Sequence, residues 1–359
     1  MKRMTVVLLA LLLIGCAKPN AKQTDAATAQ TEIAKAEKSK PQSTETGTEK
    51  PQTEKKPDAT EEPVMTAQPE STPAASKSED TVVLQTTSDS AAPTPEPAPN
   101  GLLGVRFSEK FSETPQYGER SYKSNSISVE IRTYTVRDTY AKIASYHVAD
   151  IYVKDVTSIK AAAAEGDFSM RYVHTVKEIS DMTGALLAID GDTYSRVKKS
   201  FVIRNGVLYR DTLIEDTDLC VLYRDGRMET KKWGTFTMQE IIDSDPWQVW
   251  GFGPALLDEN GHAMDVQCPE IGGHNPRAAI GYYEPGHYCF VIVDGRRSGW
   301  SEGVRLPALS RLMEDLGCKA AYNLDGGSSA QMYWNGEIIN KVSDAGRRVS
   351  DIIYLLPEE

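Results

Sequence analysis

Apolar and polar residues alternate in short runs over the last two thirds of the chain, and tight turns separate the runs. ISVEIRTYT (127–135) and SYHVADIYV (145–153) have the period of two that sets one strand face on a core. FVIRNGVLYR (201–210), VLYRDGRMET (221–230) and QMYWNGEII (331–339) each place Asn-Gly or Asp-Gly between apolar runs, which predicts hairpins. HYCFVIVD (287–294) and AAYNLD (320–325) are apolar enough for central strands, and VSDIIYLL (349–356) closes the chain in the same way. Helices are fewer. Leu309, Leu312, Met313 and Leu316 recur at helical spacing, with Pro307 in the first turn and Gly317 just past the end, so a helix is predicted over Arg305 to Leu316. TMQEIIDS (237–244) is a shorter candidate. The pattern predicts an α+β fold: a single domain over residues 101–359 with a mixed, hairpin-rich β-sheet core and a few flanking helices.

The first hundred residues are written differently. Lys2 and Arg3 precede an apolar run, Thr5 to Ile14, that is too short to span a bilayer and reads as an export signal. Leu13-Ile14-Gly15-Cys16 resembles the lipobox of bacterial lipoproteins, which implies lipidation at Cys16 and residues 1–16 as a signal peptide. Two acyl chains suffice for stable anchoring. Residues 17–100 contain no Phe, Trp or Tyr and are dominated by Thr, Glu, Pro, Ala, Lys and Ser, a composition that predicts a disordered tether. As a flexible coil its mean reach is roughly 50 Å. The expected location is therefore extracytoplasmic, on a membrane of the cell envelope.

Charge and cysteines narrow the classes. Residues 101–359 carry 29 basic and 37 acidic side chains, so no nucleic-acid footprint is expected, and no protein partner is evident. Cys220, Cys268, Cys289 and Cys318 include no CxxC pair, which argues against a structural zinc site. Cys289 and Cys318 fall in apolar surroundings that favour buried thiols, and disulfide pairing stays open.

Candidate chemistry gathers where two apolar strands end on Asp-Gly: Asp294 in VIVDGRR and Asp325 in YNLDGGSS. The helix from Arg305 connects them, and a strand–helix–strand crossover favours parallel strands, which would bring both aspartates to one sheet edge. Gly326 and Gly327 allow backbone that turns N–H groups towards an anion, and Ser328 and Ser329 add hydroxyl donors. Arg277 and Arg296 carry the planar fork that fits phosphate oxygens. Two surface turns would explain the same letters.

NPRAAIGYY, VDGRRSGWSEGVRLPALSRLMEDLGC, AAYNLDGGSSAQM and GRRVSDIIYL resemble, in order and spacing, the blocks of the phosphodiester glycosidase family. ALLAIDGDTYSRVKKSFVIRNGVLYR resembles an earlier block of that family, and the likeness covers about residues 145–356. It implies a hydrolase of sugar-1-phosphodiesters, with functional positions at Arg277, Asp294, Arg296, Ser301, Gly303, Asp325, Gly326, Gly327 and Ser329. Asp190 stands where the family has asparagine, Ser328 replaces a third glycine, and Ala330 and Gln331 replace Ser and Thr. Asp190 and Asp192 lie in a site loop on this alignment.

The resulting expectation is a phosphodiester-linked glycan substrate, with Asp325 as nucleophile or base and Asp294 or Asp192 as its partner. Arg277, Arg296, Gly326, Gly327, Ser328, Ser329, Ser301 and Asp190 would hold substrate or phosphate. No cofactor is certain; a divalent cation held by clustered aspartates stays open, without a ligand motif to specify it. The alternative is an envelope lipoprotein that binds phosphorylated glycans without cleaving them.

Overall fold

Strand-forming alternation and Asn-Gly turns dominate the architecture. In the computed structural model the described residues are Leu103 and residues 106–137, 142–168, 174–197 and 199–358. Cys16, the export signal and the tether lie outside them. The chain first lays down β1 (Gln116–Tyr117), β2 (Ser121–Lys123), β3 (Ile127–Arg137) and β4 (Ile143–Val153). It continues through β5 (Lys160–Ala163), α1 (Val176–Thr183) and β6 (Leu187–Asp190). A hairpin-rich segment follows: β7 (Phe201–Arg204), β8 (Val207–Asp211), β9 (Leu219–Tyr223), β10 (Met228–Lys231), α2 (Met238–Asp243) and β11 (Pro246–Trp250). Then come β12 (Arg277–Glu284), β13 (His287–Val293), α3 (Leu306–Asp315) and β14 (Ala320–Asn323). β15 (Met332–Trp334), β16 (Glu337–Ile338) and β17 (Asp351–Leu355) finish the chain.

These strands form three sheets, ordered β1-β2-β3-β4-β13-β12-β14, β10-β9-β11-β7-β8 and β16-β15-β6-β17-β5. The inner face of the first sheet (Val129, Ile131, Ile151, Phe290, Ile292) packs in one core with Leu222 and Trp250 of the second and Ile189, Met332 and Ile353 of the third. On its other face Leu309, Leu312 and Met313 of α3 cover Val148, Val291 and Val293. Truncating a buried leucine such as Leu309 to alanine in such a core costs about 2–5 kcal/mol.

The predicted hairpins and helices form. At the β7–β8 turn Asn205 (φ 52) and Gly206 (φ 74) are both left-handed, as a two-residue turn of matching twist requires. α3 ends at Asp315 with Leu316 as its cap, and Gly317 (φ 82) follows directly. α1 was not among the expected elements, although its start carries a T-x-x-E signature: Thr175 caps the backbone of Glu178, and Glu178 returns the bond. The expected mixed sheet needs one correction. Every strand pairing among the described residues is antiparallel. β13 and β14 do run parallel to each other, but β12, hairpinned to β13, lies between them. No helix among the described residues is long and apolar enough to cross a membrane.

Candidate functional site

Because β13 and β14 each run antiparallel to β12, Asp294 and Asp325 leave the first sheet at the same edge. That edge is stitched to the end of β6: the Asp325 N–H donates to the Gly191 carbonyl at 3.1 Å. The Gln331 N–H donates to Asp190 Oδ1 at 3.1 Å.

Asp325 is buried, 5% exposed. Arg347 Nη2 donates to both of its oxygens at 2.5 and 2.7 Å, Ser329 Oγ donates to Oδ2 at 2.7 Å, and the Gly326 N–H donates to Oδ1 at 2.9 Å. Arg347 Nε also donates to Ser329 Oγ, so aspartate, serine and arginine form one closed network. Arg347 keeps a third of its side chain exposed at the mouth of this network. It stands in the GRRVSDIIYL block, yet sequence reasoning assigned it no role.

The Gly-rich turn does not form the anion nest its letters predicted. Residues 327–329 are a single 3-10 turn. The N–H groups of Gly326, Gly327 and Ser329 donate to Asp325 Oδ1, the Pro276 carbonyl and the Gly326 carbonyl, so they are used inside the protein. The glycines serve close approach instead. A Cβ on Gly326 would lie 2.8 Å from the Pro276 carbonyl oxygen, and one on Gly327 (φ 64) would lie 2.9 Å from Arg296 Nη2. Ser328 Oγ donates to Asp344 Oδ2 at 2.9 Å.

Two further arginines meet beside this turn. Arg277 is 2% exposed, and its guanidinium donates to the carbonyls of Val304 (3.1 Å), Ile271 (2.6 Å) and Gly273 (2.8 Å). No carboxylate pairs with it among the described residues. Burial, followed by the nearby charge of Arg296, pulls it down to about 10. A cation held in low dielectric without a counter-charge is a standing attraction for an anion. Arg296 straddles Asn275 Oδ1 through Nε (3.2 Å) and Nη2 (3.0 Å), while its Nη1 reaches Asp344 Oδ2 at 3.2 Å.

Asp294, 1% exposed, is held from four sides. Asn340 Nδ2 (3.1 Å) and the Lys341 N–H (3.0 Å) donate to Oδ1, and Trp300 Nε1 donates to Oδ2 at 3.3 Å. His147 Nε2 approaches Oδ2 at 3.6 Å, beyond hydrogen-bond range but within reach of an ion pair. Burial pushes this carboxyl up, but the contacts from His147 and Asn340 outweigh it and leave it below its ordinary value. His147 is buried on β4, and its Nδ1 meets Thr133 Oγ1 at 2.9 Å. Nε2 is buried and has no hydrogen-bond partner among the described residues, so Asp294 at 3.6 Å is the charged group it faces. Sequence reasoning did not single out His147. Ser301 is a tie rather than a free donor: its Oγ donates to the Asp294 carbonyl at 2.6 Å and accepts the Ser145 N–H at 3.0 Å. Gly303 lies on the same loop, where the Asn275 backbone leaves no space for a side chain.

Asp190 and Asp192 separate. Asp190 is fully buried, and its Oδ2 has no hydrogen-bond partner. Burial, then the negative charge of Asp325, pushes its carboxyl well above the ordinary range. That shift favours the protonated acid, which is closer to asparagine in shape and charge than the carboxylate is. The Asp192 side chain turns towards the second sheet. The Gly251 N–H donates to its Oδ2 at 2.8 Å, and Arg204 Nη2 lies 3.4 Å from the same oxygen. Fully buried Arg204 also donates through Nε to Asp351 Oδ2 at 2.6 Å, and Asp351 Oδ1 accepts the Asp192 N–H at 2.8 Å. Asp192 thus belongs to a buried ionic network, whereas Asp325, Ser329 and Arg347 form one network at the 326–329 turn, with Arg296 packed against Gly327 beside it.

Among the described residues no group of three or more His, Cys, Asp or Glu side chains is arranged to hold a metal. The carboxylates of Asp325, Asp294 and Asp192 face N–H and O–H donors, a donor set that does not fit a divalent cation. Cys220, Cys289 and Cys318 are free and buried.

Residues 183–356 match the model of the phosphodiester glycosidase family, a segment that contains Asp190, Arg277, Asp294, Arg296, Asp325 and Arg347. Among individual proteins, the SPbeta prophage-derived uncharacterized protein YomE of Bacillus subtilis (strain 168) is 24% identical over 269 residues. That alignment covers 68% of this chain and 41% of the relative, so the chain spans about two fifths of the length of the relative it matches. The catalytic domain of zebrafish N-acetylglucosamine-1-phosphodiester alpha-N-acetylglucosaminidase, solved auto-inhibited by its pro-peptide, is similar with a TM-score of 0.53. Identity there is 18%, over 68% of this chain and 88% of that one. A hypothetical protein from Synechocystis gives a TM-score of 0.51 at 13% identity, over 66% of this chain and 63% of the other. Both structures share the fold.

Proposed function

We propose that this protein is a cell-envelope hydrolase that cleaves a sugar-1-phosphodiester in a surface glycan or glycoconjugate, between the anomeric carbon and the phosphate. The observation that carries the reading is the meeting of Arg347 and Arg296 at the Asp325 turn, with Arg277 close to Arg296, buried and lacking a carboxylate among the described residues. In the proposed reaction the bond between C1 and the phosphate oxygen breaks, and the phosphate monoester leaves with the bonding pair. A water oxygen ends on C1. Arginines neutralise charge on the departing phosphate, so full protonation by a general acid is less necessary. Arg347 occupies both oxygens of Asp325 when no substrate is bound. A phosphate that draws Arg347 towards itself would free one Asp325 oxygen to attack C1 or to activate water. Asp294, fixed by Asn340, Trp300 and His147, would hold the adjoining wall.

A screen of the purified protein against sugar-1-phosphodiesters, with products identified by mass, tests the reading. Arg277→Lys keeps the charge but loses the fork. It is expected to lower kcat/KM on a phosphodiester at least about tenfold, and to affect an uncharged aryl glycoside much less. Equal losses on both substrates would make Arg277 structural only.

The second reading, a lipoprotein that binds phosphorylated glycans, is favoured by one observation: the carboxylates of Asp325 and Asp294 are both fully hydrogen-bonded. A binder would retain the ligand and release no free sugar. For location, we infer lipid anchoring through Cys16, and Cys16→Ala is expected to move the protein out of the detergent-extracted membrane fraction. Unchanged partitioning would remove the anchor.

A further inference from the structure

We propose that Asp344 is a specificity-determining internal anion: its carboxylate occupies the phosphate position at Arg296 and Ser328, and the substrate's phosphodiester must displace it. This rests on the reading of Arg296 as a phosphate-binding residue. Three donors from three segments converge on the single oxygen Asp344 Oδ2: Ser328 Oγ at 2.9 Å, Arg296 Nη1 at 3.2 Å and Ser343 Oγ at 3.2 Å. One oxygen receiving a guanidinium and two hydroxyls has the surroundings of a bound phosphate oxygen rather than those of an ordinary exposed ion pair.

Stability does not explain the arrangement. The Asp344 side chain is 68% exposed, and ion pairs this exposed contribute little. Holding it there places Asp344 (φ 52) and Ala345 (φ 59) consecutively in the left-handed region, which is unfavourable for alanine. A strained loop that carries a weakly held carboxylate is suited to exchange. Replacing a carboxylate by a phosphodiester monoanion leaves the net charge of the site unchanged, so the swap costs only the contacts given up. Tethered to the chain, Asp344 competes at an effective concentration of about millimolar or above. Small free anions are then kept out at ordinary concentrations. A phosphodiester whose sugar adds contacts of its own can displace the carboxylate. After cleavage, recapture of Arg296 by Asp344 would help expel the phosphate product.

The test is inorganic phosphate binding to the full-chain protein by calorimetry or NMR titration, comparing wild type, Asp344→Gly, Asp344→Asn and Arg296→Gln. Glycine accepts the left-handed backbone, and the site is exposed, so these variants are expected to fold. Both Asp344 variants should bind phosphate at least about tenfold tighter than wild type, and adding Arg296→Gln to Asp344→Gly should abolish the gain. The gain should persist between about 0.15 M and about 0.5 M salt, because displacement of a contacting group is screened far less than a general field. Unchanged phosphate affinity in both Asp344 variants, with weaker binding in Arg296→Gln, would overturn the competitor role and leave the phosphate reading of Arg296 intact. Phosphate binding in none of the proteins would overturn both. A gain that vanishes at high salt would reduce Asp344 to background charge and overturn the proposal.

Discussion

Replacing Asp325 with asparagine is expected to lower turnover of a sugar-1-phosphodiester by at least about a thousandfold, or about 4 kcal/mol of transition-state stabilisation. Asparagine keeps the size and can still accept from one of Ser329 Oγ and the Gly326 N–H, which bond to different oxygens, but it cannot attack C1 or take a proton from water. Folding should also suffer, since the change uncouples Arg347 from a carboxylate that is 5% exposed. Breaking a buried pair costs about 3–5 kcal/mol, but Arg347 is itself 34% exposed, which lowers the expected loss to about 1–3 kcal/mol. Denaturant unfolding and product release, measured on one preparation, separate the two effects. Undiminished activity per folded molecule would move the attacking group away from Asp325.

The largest stability effect is expected at Arg204. Arg204→Met should destabilise by about 3–5 kcal/mol, because it leaves Asp192 and Asp351 in the core without their cation. Arg204 is 0% exposed, and it also donates to the carbonyls of Ile203 (3.1 Å) and Val249. Adding Asp192→Asn and Asp351→Asn to the methionine variant should recover much of the loss, since the cost lies in unpaired charge and not in missing volume. pH gives an independent check. Burial, offset in part by Arg204 and reinforced by the negative charge of Asp192, pushes the Asp351 carboxyl up to about 6. The unfolded chain releases this proton near pH 4, before the folded protein does. The Asp351 contribution to stability therefore falls as pH rises from about 4 to about 6, then levels off. The carboxyl carbon of Asp351 should titrate with a midpoint near 6 by NMR. A midpoint near 4 would mean that Arg204 fully offsets the effect of burial.

Much of this fold was legible because its signals are local. The period of two gave β3 and β4, Asn-Gly gave the β7–β8 and β15–β16 turns, and leucine spacing with Pro307 and Gly317 gave α3. The common edge of Asp294 and Asp325 followed from the crossover through α3, but the intervening β12 did not, because strand order is a long-range choice that hairpin signals do not specify. The same limit hid the site's partners. Arg347 lies 22 residues from Asp325, Arg204 lies 147 from Asp351, and His147 reaches Asp294 from a different strand. None of these pairs has a spacing that local periodicity could flag. The DGGSS turn misled for a different reason. Its glycines were read as freeing N–H groups for an anion, whereas they make room for the Pro276 carbonyl and the Arg296 guanidinium. α1 has a local signal of its own, the Thr175–Glu178 capping box at its start.

In the proposed reaction the bond broken joins the anomeric carbon to oxygen, not phosphorus to oxygen. Hydrolysis of a sugar-1-phosphodiester in water enriched in heavy oxygen, with both products analysed by mass, tests it most directly. The label is expected on the released sugar at C1, with none in the phosphate monoester. Label in the phosphate would make the protein a phosphodiesterase of a different mechanism. Tight binding of the substrate with no labelled product would make it a glycan-binding protein.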